Sequence, residues 1–418
     1  MEIRDLSLPL ASLAFLGLAS AAVAAPDVKL KAAAEQAQPA LIETLKEMVG
    51  IESGSTDLDG LKRMADLTEA RLKALGAKTE RRKVTSGPGA DIVIATFEGT
   101  GTKKLMLIGH MDTVYQNGIL ASQPWRVDGA KIYGPGIADD KGGLAVVLHS
   151  LKILNDAGWR DYARLTVLFN PDEEIGSIGS GETIAQLADQ HDVVLSCEPT
   201  VSSPPAAHDL LLLGAAGTAT AVLEVKGRAA HAGAAPELGR NALIELAHQM
   251  LQTRDIAKGI PGTQLNWTRA EATGVSNQIP AAARATADVR LTALGGAEKL
   301  EAALREKVAS SNLVPDTEST LTLEIGRPPF LAGEAGRALG ERAQAIYAEL
   351  DRPLDLVPMT GGATDAGFAG RSGKAAVLES FGLAGFGYHA RDEFIDTATI
   401  VPRLYLMTRM LTELGKAK

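Results

Sequence analysis

Histidines and carboxylates recur in this chain at the ends of apolar runs, where a fold can gather them into one site. The first segment is Gly109-His110-Met111-Asp112-Thr113. In extended backbone His110 and Asp112 point the same way, so Asp112 can take the free imidazole N–H of a metal-bound His110 and fix its tautomer. A surface ion pair is the plainer reading. The second, Gly134-Pro-Gly-Ile-Ala-Asp139-Asp140-Lys141, sets Asp139 just ahead of a helix, either as its N-cap or as a carboxylate whose two oxygens bind two metals. The third, Asn170-Pro-Asp172-Glu173-Glu174, places three acids in a row, which repel one another unless cations intervene. One such acid can bind a metal while its neighbour takes a proton from the metal's water. Ser196-Cys197-Glu198 adds another carboxylate, and Gly385-Phe-Gly-Tyr-His389 a second imidazole. Oxygen donors mixed with imidazole suit Zn²⁺ or another divalent first-row ion, held as a pair about 3.5–4 Å apart.

The other histidines are less telling. His149, His191, His208 and His248 fall in helical or loop surroundings and read as ordinary surface residues. Cys197 is the only cysteine, so no intrachain disulfide holds the fold. Alternation along its strand points the thiol away from Glu198, as expected of a buried, inert group.

The elements that must position these groups belong to a chain of 418 residues, 45% hydrophobic and 22% charged, with mean hydropathy +0.04. That profile excludes a disordered chain, a collagen repeat and a coiled coil. At about 150 residues per domain, the length allows two or three domains. With 42 basic and 51 acidic residues, a net charge of −9, no basic face presents itself to nucleic acid or anionic lipid. Residues 1–24 read as a signal peptide: an apolar run from Leu6 to Leu18, then the small-residue site Ala22-Val23-Ala24. The mature protein is accordingly expected to be exported and periplasmic or secreted, with no membrane span.

Beyond residue 25, helical and strand-like stretches alternate, as in an α/β core with helices on both faces of a sheet. Pro39 to Gly50 and Gly60 to Gly76 read as amphipathic helices, the first opened by its proline. Near Gly214 the rhythm changes to β-α-β-β-α-β, the ferredoxin-like order. The expected organisation is a catalytic domain in two parts, 25–214 and 327–418, interrupted by a ferredoxin-like lid or dimerisation domain at 215–326. Gly214-Ala-Ala-Gly217 and Gly326-Arg-Pro-Pro329 punctuate the crossings.

Taken together, the segments resemble the di-zinc aminoacylase and glutamate-carboxypeptidase family of metallopeptidases, and within it the bacterial folate-cleaving type. The resemblance covers nearly the whole mature chain, including His110-Met-Asp-Thr-Val-Tyr115, Gly134 to Gly143, His231-Ala-Gly-Ala-Ala-Pro-Glu-Leu-Gly239, Asn266-Trp-Thr268 and Gly385 to His389. It implies a zinc-exopeptidase-like mixed sheet and two Zn²⁺ per subunit. Asp139 would bridge the ions; His110 and Glu198 would complete one site, and Glu174 and His389 the other. It further implies Glu173 as general base and acid, Asp112 as the group orienting His110, and a cis bond between Asp139 and Asp140. His231 would stabilise the oxyanion, in some relatives across a homodimer interface. Asn277, Arg290 and Arg327 would hold the substrate's free carboxylate, a task suited to a guanidinium fork. The expected chemistry is release of a C-terminal amino acid from a small amide or peptide, with glutamate leading.

One departure bears on that preference. Where the glutamate-releasing relatives carry a lysine and a serine for the side-chain carboxylate, an ungapped count gives Leu210 and Leu212, near an extra Ser202-Ser-Pro-Pro205. An ionised side chain would then be buried unpaired, and an apolar or aromatic C-terminal residue becomes the alternative. Two other readings are weaker. A periplasmic capture protein on a decayed peptidase fold should lack a ligand or the base, yet every position is filled. A serine esterase using Ser177 or Ser180 lacks the Gly-x-Ser-x-Gly elbow.

Overall fold

The computed structural model describes residues 24–201 and 206–416; the leader call at residues 1–24 and the Ser202–Pro205 insertion fall, apart from Ala24, outside them. Among the described residues no helix is long and apolar enough to cross a membrane.

A six-stranded mixed sheet forms the centre, in the order Lys78–Lys83, Asp91–Glu98, Arg164–Asn170, Lys104–His110, Val193–Ser196 and Ala376–Leu378. The first two pairings are antiparallel and the last three parallel. The inner strands are apolar on both sides because both faces are covered. Leu105 and Leu107 look toward one core with helices Val28–Val49, Lys141–Asp156 and Ile400–Lys416, whereas Met106 and Ile108 look toward another with Ile184, Ala188 and Ala366.

The first helix differs from the sequence expectation. It begins at Val28, eleven positions before Pro39, and runs through the proline to Val49. Proline forfeits one backbone bond. Asp27 caps the start through Lys29 N and Leu30 N, and Ala34, Leu41, Leu45 and Met48 are buried, so packing on both sides of Pro39 keeps the helix continuous. The Asp27 amide also donates to Tyr405 Oη at 2.7 Å; that hydroxyl donates to Glu349, which Arg409 grips with two nitrogens.

Between the crossings lies a second sheet in the order Thr263–Ala272, Ala282–Leu291, Gly217–Lys226 and Glu318–Ile325, antiparallel throughout. Helices Ala242–Thr253 and Gly296–Ser310 cover one face, and Leu246, Leu300 and Leu304 close a core separate from the central one. The entering and leaving chains run side by side, with Gly214 opposite Leu331 and Ala215 opposite Phe330.

Two of the histidines read as surface residues are buried. His191 bonds Leu187 O and Thr166 Oγ1; His149 Nε2 lies 2.8 Å from Thr44 Oγ1. His149 faces inward from the Lys141–Asp156 helix and His191 follows the Gly181–Ala188 helix into the interior, placements that local polarity does not reveal. Burial, with Arg71 and Lys152 nearby, lowers the His149 pKa from 6.5 to about 4. A depressed histidine pKa favours the neutral folded form, so its contribution is present above pH 6.5 and is lost as pH falls toward 4. The stability advantage of wild type over His149→Gln should therefore shrink across that interval in thermal melts; a gap independent of pH would contradict this assignment.

Candidate metal centre

Because Lys104–His110, Arg164–Asn170 and Val193–Ser196 are mutually parallel neighbours, their carboxyl ends open on one edge of the sheet. His110 closes the first strand, Asp172 to Glu174 follow the second, and Glu198 lies two residues past the third. Asp139 arrives on the loop before the Lys141–Asp156 helix, and His389 on the turn after Ala384–Phe386. The Asp139–Asp140 bond is cis. Asp140, not Asp139, holds the position ahead of that helix, and its side chain makes no capping bond.

Asp139 stands between the imidazoles. Its Oδ1 is 3.0 Å from His110 Nε2, and its Oδ2 is 3.2 Å from His389 Nε2. Glu174 Oε2 lies 3.0 Å from His389 Nε2, and Glu198 Oε1 lies 3.8 Å from His110 Nε2. Two clusters thus converge, His110 with Asp139 and Glu174, and His110 with Glu173 and Glu198. The shorter separations approach the roughly 3.3 Å edge of a tetrahedron with 2.0–2.1 Å bonds to zinc. Asp112 works from behind. Its Oδ1 is 3.2 Å from His110 Nδ1, and it accepts from Glu173 N, Glu174 N and Ser55 Oγ. One buried carboxylate thereby orients the imidazole and the turn bearing both glutamates.

The electrostatics fit a cation. Burial raises the Glu198 carboxyl to about 7, although His110 opposes it, and pushes Glu173 and Glu174 upward as well. Burial disfavours charge on His110, yet Glu198, Asp112 and Asp139 outweigh it and hold the pKa well above 6.5. Hydrogen bonds to Asp139 and Glu174 lift His389 to about 10. Protons are thus called in to balance negative charge, and a divalent ion does the same without neutralising the ligands.

A cavity of about 550 Å³ extends from these groups and is lined also by Leu212, Arg290, Arg327, Thr360, Ser380 and Tyr388. Arg327 is buried, donates to Ala363 O, and lies 2.8 Å from Glu173 Oε1. Arg290 pairs with Asp288 at 3.0 Å. Three of the expected residues, the substrate-binding Leu210 and Asn277 and the oxyanion-stabilising His231, do not line the cavity. Leu210 shares a strand face with Leu212 but lies one pleat back, with its carbonyl held by Arg403. His231 is exposed on the smaller module, its Nδ1 accepting from Gly233 N and Ala234 N. Asn277, also exposed, accepts from Ala232 N beside it. Ser177 bonds Asp365 and Ser180 bonds Asn170, neither partnered by histidine.

Glu393 escapes a reading based on ligand types. It is buried and accepts from Gly136 N, Ala138 N, Asp139 N and Tyr115 Oη, all within 3.0 Å. This carboxylate therefore sets the loop that presents Asp139. Its one trace in the sequence is a position four residues beyond His389.

Imidazoles interleaved with carboxylates at the open ends of parallel strands, on an α/β body carrying a smaller antiparallel module, define a metal-dependent hydrolase. Residues 106–413 match peptidase family M20/M25/M40, and the chain belongs to that family. It is 45% identical over 389 residues to Carboxypeptidase G2 of Pseudomonas sp. (strain RS-16), covering 92% of each chain. The fold is that of aminopeptidase PepT from Bacillus cereus (TM-score 0.72, 19% identity, 91% and 99% of the two chains). It is also that of an M20 family metallo-carboxypeptidase, Sso-CP2, from Sulfolobus solfataricus (TM-score 0.70, 18% identity, 90% and 99%). The protein is thus a metal-dependent peptidase.

Glu393→Gln keeps one acceptor oxygen but turns amide hydrogens on the backbone N–H groups that the other oxygen receives, Gly136 or the Ala138 and Asp139 pair. It should weaken metal binding by roughly 10–100-fold, as loss of a group behind a ligand does elsewhere. Titration of the metal-free protein with Zn²⁺ measures this, and unchanged affinity would refute the role.

Proposed function

We propose that this protein is a di-zinc carboxypeptidase or amidohydrolase that releases a C-terminal amino acid, glutamate first, from a small peptide or N-acyl substrate. The observation that carries the reading is Asp139, whose two oxygens face two different histidines, as a carboxylate shared by two ions must. His110 and Glu198 would hold one ion, and Glu174 and His389 the other. The likeness to Carboxypeptidase G2 supports the leaving residue.

Bound zinc would polarise the scissile carbonyl and acidify water. Glu173 takes the water's proton and returns it to the leaving nitrogen, work for a carboxyl whose pKa burial has already raised. Arg327 and Arg290, at the junction with the smaller module, receive the substrate's carboxylate. His231 does not line its own cavity, which favours a homodimer through 215–326 in which a second copy supplies it. The Ala22-Val-Ala24 pattern supports export to the periplasm.

Leu212 favours a second reading of specificity. It lines the cavity where the side chain of the released residue would lie, and among the described residues no lysine, and no arginine besides Arg290 and Arg327, lines it. The same chemistry would then prefer an apolar or aromatic C-terminal residue.

Chelation should abolish hydrolysis of N-acyl glutamate and Zn²⁺ should restore it. Glu173→Gln should lower kcat by about 10²–10⁴-fold with metal content intact; near-normal turnover would remove Glu173 as the base. Leu212→Lys should shift kcat/KM toward glutamate over phenylalanine by roughly 10-fold or more if Leu212 contacts the side chain. An unchanged ratio would place specificity elsewhere.

A further inference from the structure

A buried arginine stands behind the cavity and takes no part in this chemistry. Arg403, on the Ile400–Lys416 helix, is fully buried, and among the described residues no carboxylate pairs with it. Its guanidinium donates instead to two carbonyls, Ser380 O and Leu210 O, each at 3.0 Å. It also lies 5.6 Å from the centre of the Tyr347 ring, and its Nε has no partner. A buried guanidinium with so few acceptors is costly unless its geometry is needed.

Both carbonyls belong to segments that reach the cavity. Leu210 lies on the Asp209–Leu212 strand, which places Leu212 at the cavity. Ser380 also lines the cavity, with its backbone in the left-handed region at φ 78° and its buried hydroxyl unpartnered. The two segments meet again where Leu212 N donates to Glu379 O. At the far end of the strand, the Tyr347 hydroxyl donates to buried Asp209 at 3.0 Å. The guanidinium thus spans the back of two chain segments whose front faces are Leu212 and the free Ser380 hydroxyl.

We propose that Arg403 is a positioning residue for substrate selection: by tying Leu210 O to Ser380 O it fixes the spacing of Leu212 and Ser380, and with it the shape of the subsite for the released side chain. It touches neither substrate nor metal ligands. The inference rests on the carboxypeptidase reading above, because it concerns the leaving amino acid.

The test compares wild type with Arg403→Lys, which keeps the charge but not the fork, and Arg403→Gln, which keeps two N–H donors without charge. Each is assayed on N-acyl glutamate and N-acyl phenylalanine sharing one acyl group, with bound zinc and thermal stability measured alongside. The expected result is kcat within about twofold, KM raised about 10-fold on the preferred substrate, and discrimination compressed about fivefold, a split that general destabilisation would not produce. Full zinc content should accompany it. A folded variant with undiminished discrimination overturns the assignment, as does failure of both variants to fold, which would make Arg403 a determinant of the fold alone. Wild-type turnover of neither substrate would instead overturn the carboxypeptidase reading and this inference together.

Discussion

Like charges brought together away from water govern this molecule. Asp139, Glu173, Glu174 and Glu198 crowd one cavity with His110, His389, Arg290 and Arg327 around them. Such a group of anions cannot persist unless positive charge stands between its members. The surrounding architecture follows from that need. Each acid sits at the end of an apolar strand or on a clamped loop, so that none can swing into solvent to relieve the repulsion.

The clamps are themselves carboxylates. Asp112 ties the His110 imidazole to the amides of Glu173 and Glu174, and Glu393 ties down the loop that carries Asp139. Charged acceptors hold amides more firmly than neutral ones, which suits a turn that must stay rigid under electrostatic load. Asp112 donates its negative charge to the site as well as its geometry, so ligand orientation and ligand basicity are set by the same residue.

Much of this arrangement was legible in the amino-acid order, and the reason is local. His110, Asp139, Glu174, Glu198 and His389 each follow an apolar run or sit among glycines, and residue type alone advertises what such groups do. The α/β alternation and the β-α-β-β-α-β stretch were legible for the same reason, because periodicity is a property of neighbours. What depended on distant packing was not. The helix running through Pro39 needed the core against Leu41 and Leu45, and the burial of His149 needed Thr44, 105 positions away. Glu393 looks like any acid in a polar loop until three amides from another segment converge on it. Leu210 and Leu212 differ only by one pleat, which an ungapped count could not resolve into one wall residue and one residue behind it.

The paired crossings carry a consequence for the history and re-use of this chain. Gly214 and Ala215 lie opposite Leu331 and Phe330, so the smaller module leaves the main body and returns to it at adjoining points. Strand neighbours are about 5 Å apart, a gap that a tight turn of a few residues can close. The larger body is therefore interrupted in sequence but nearly uninterrupted in space. A segment joined in this way can be exchanged for another by recombination at two neighbouring seams, leaving the catalytic half's hydrophobic interior uncut.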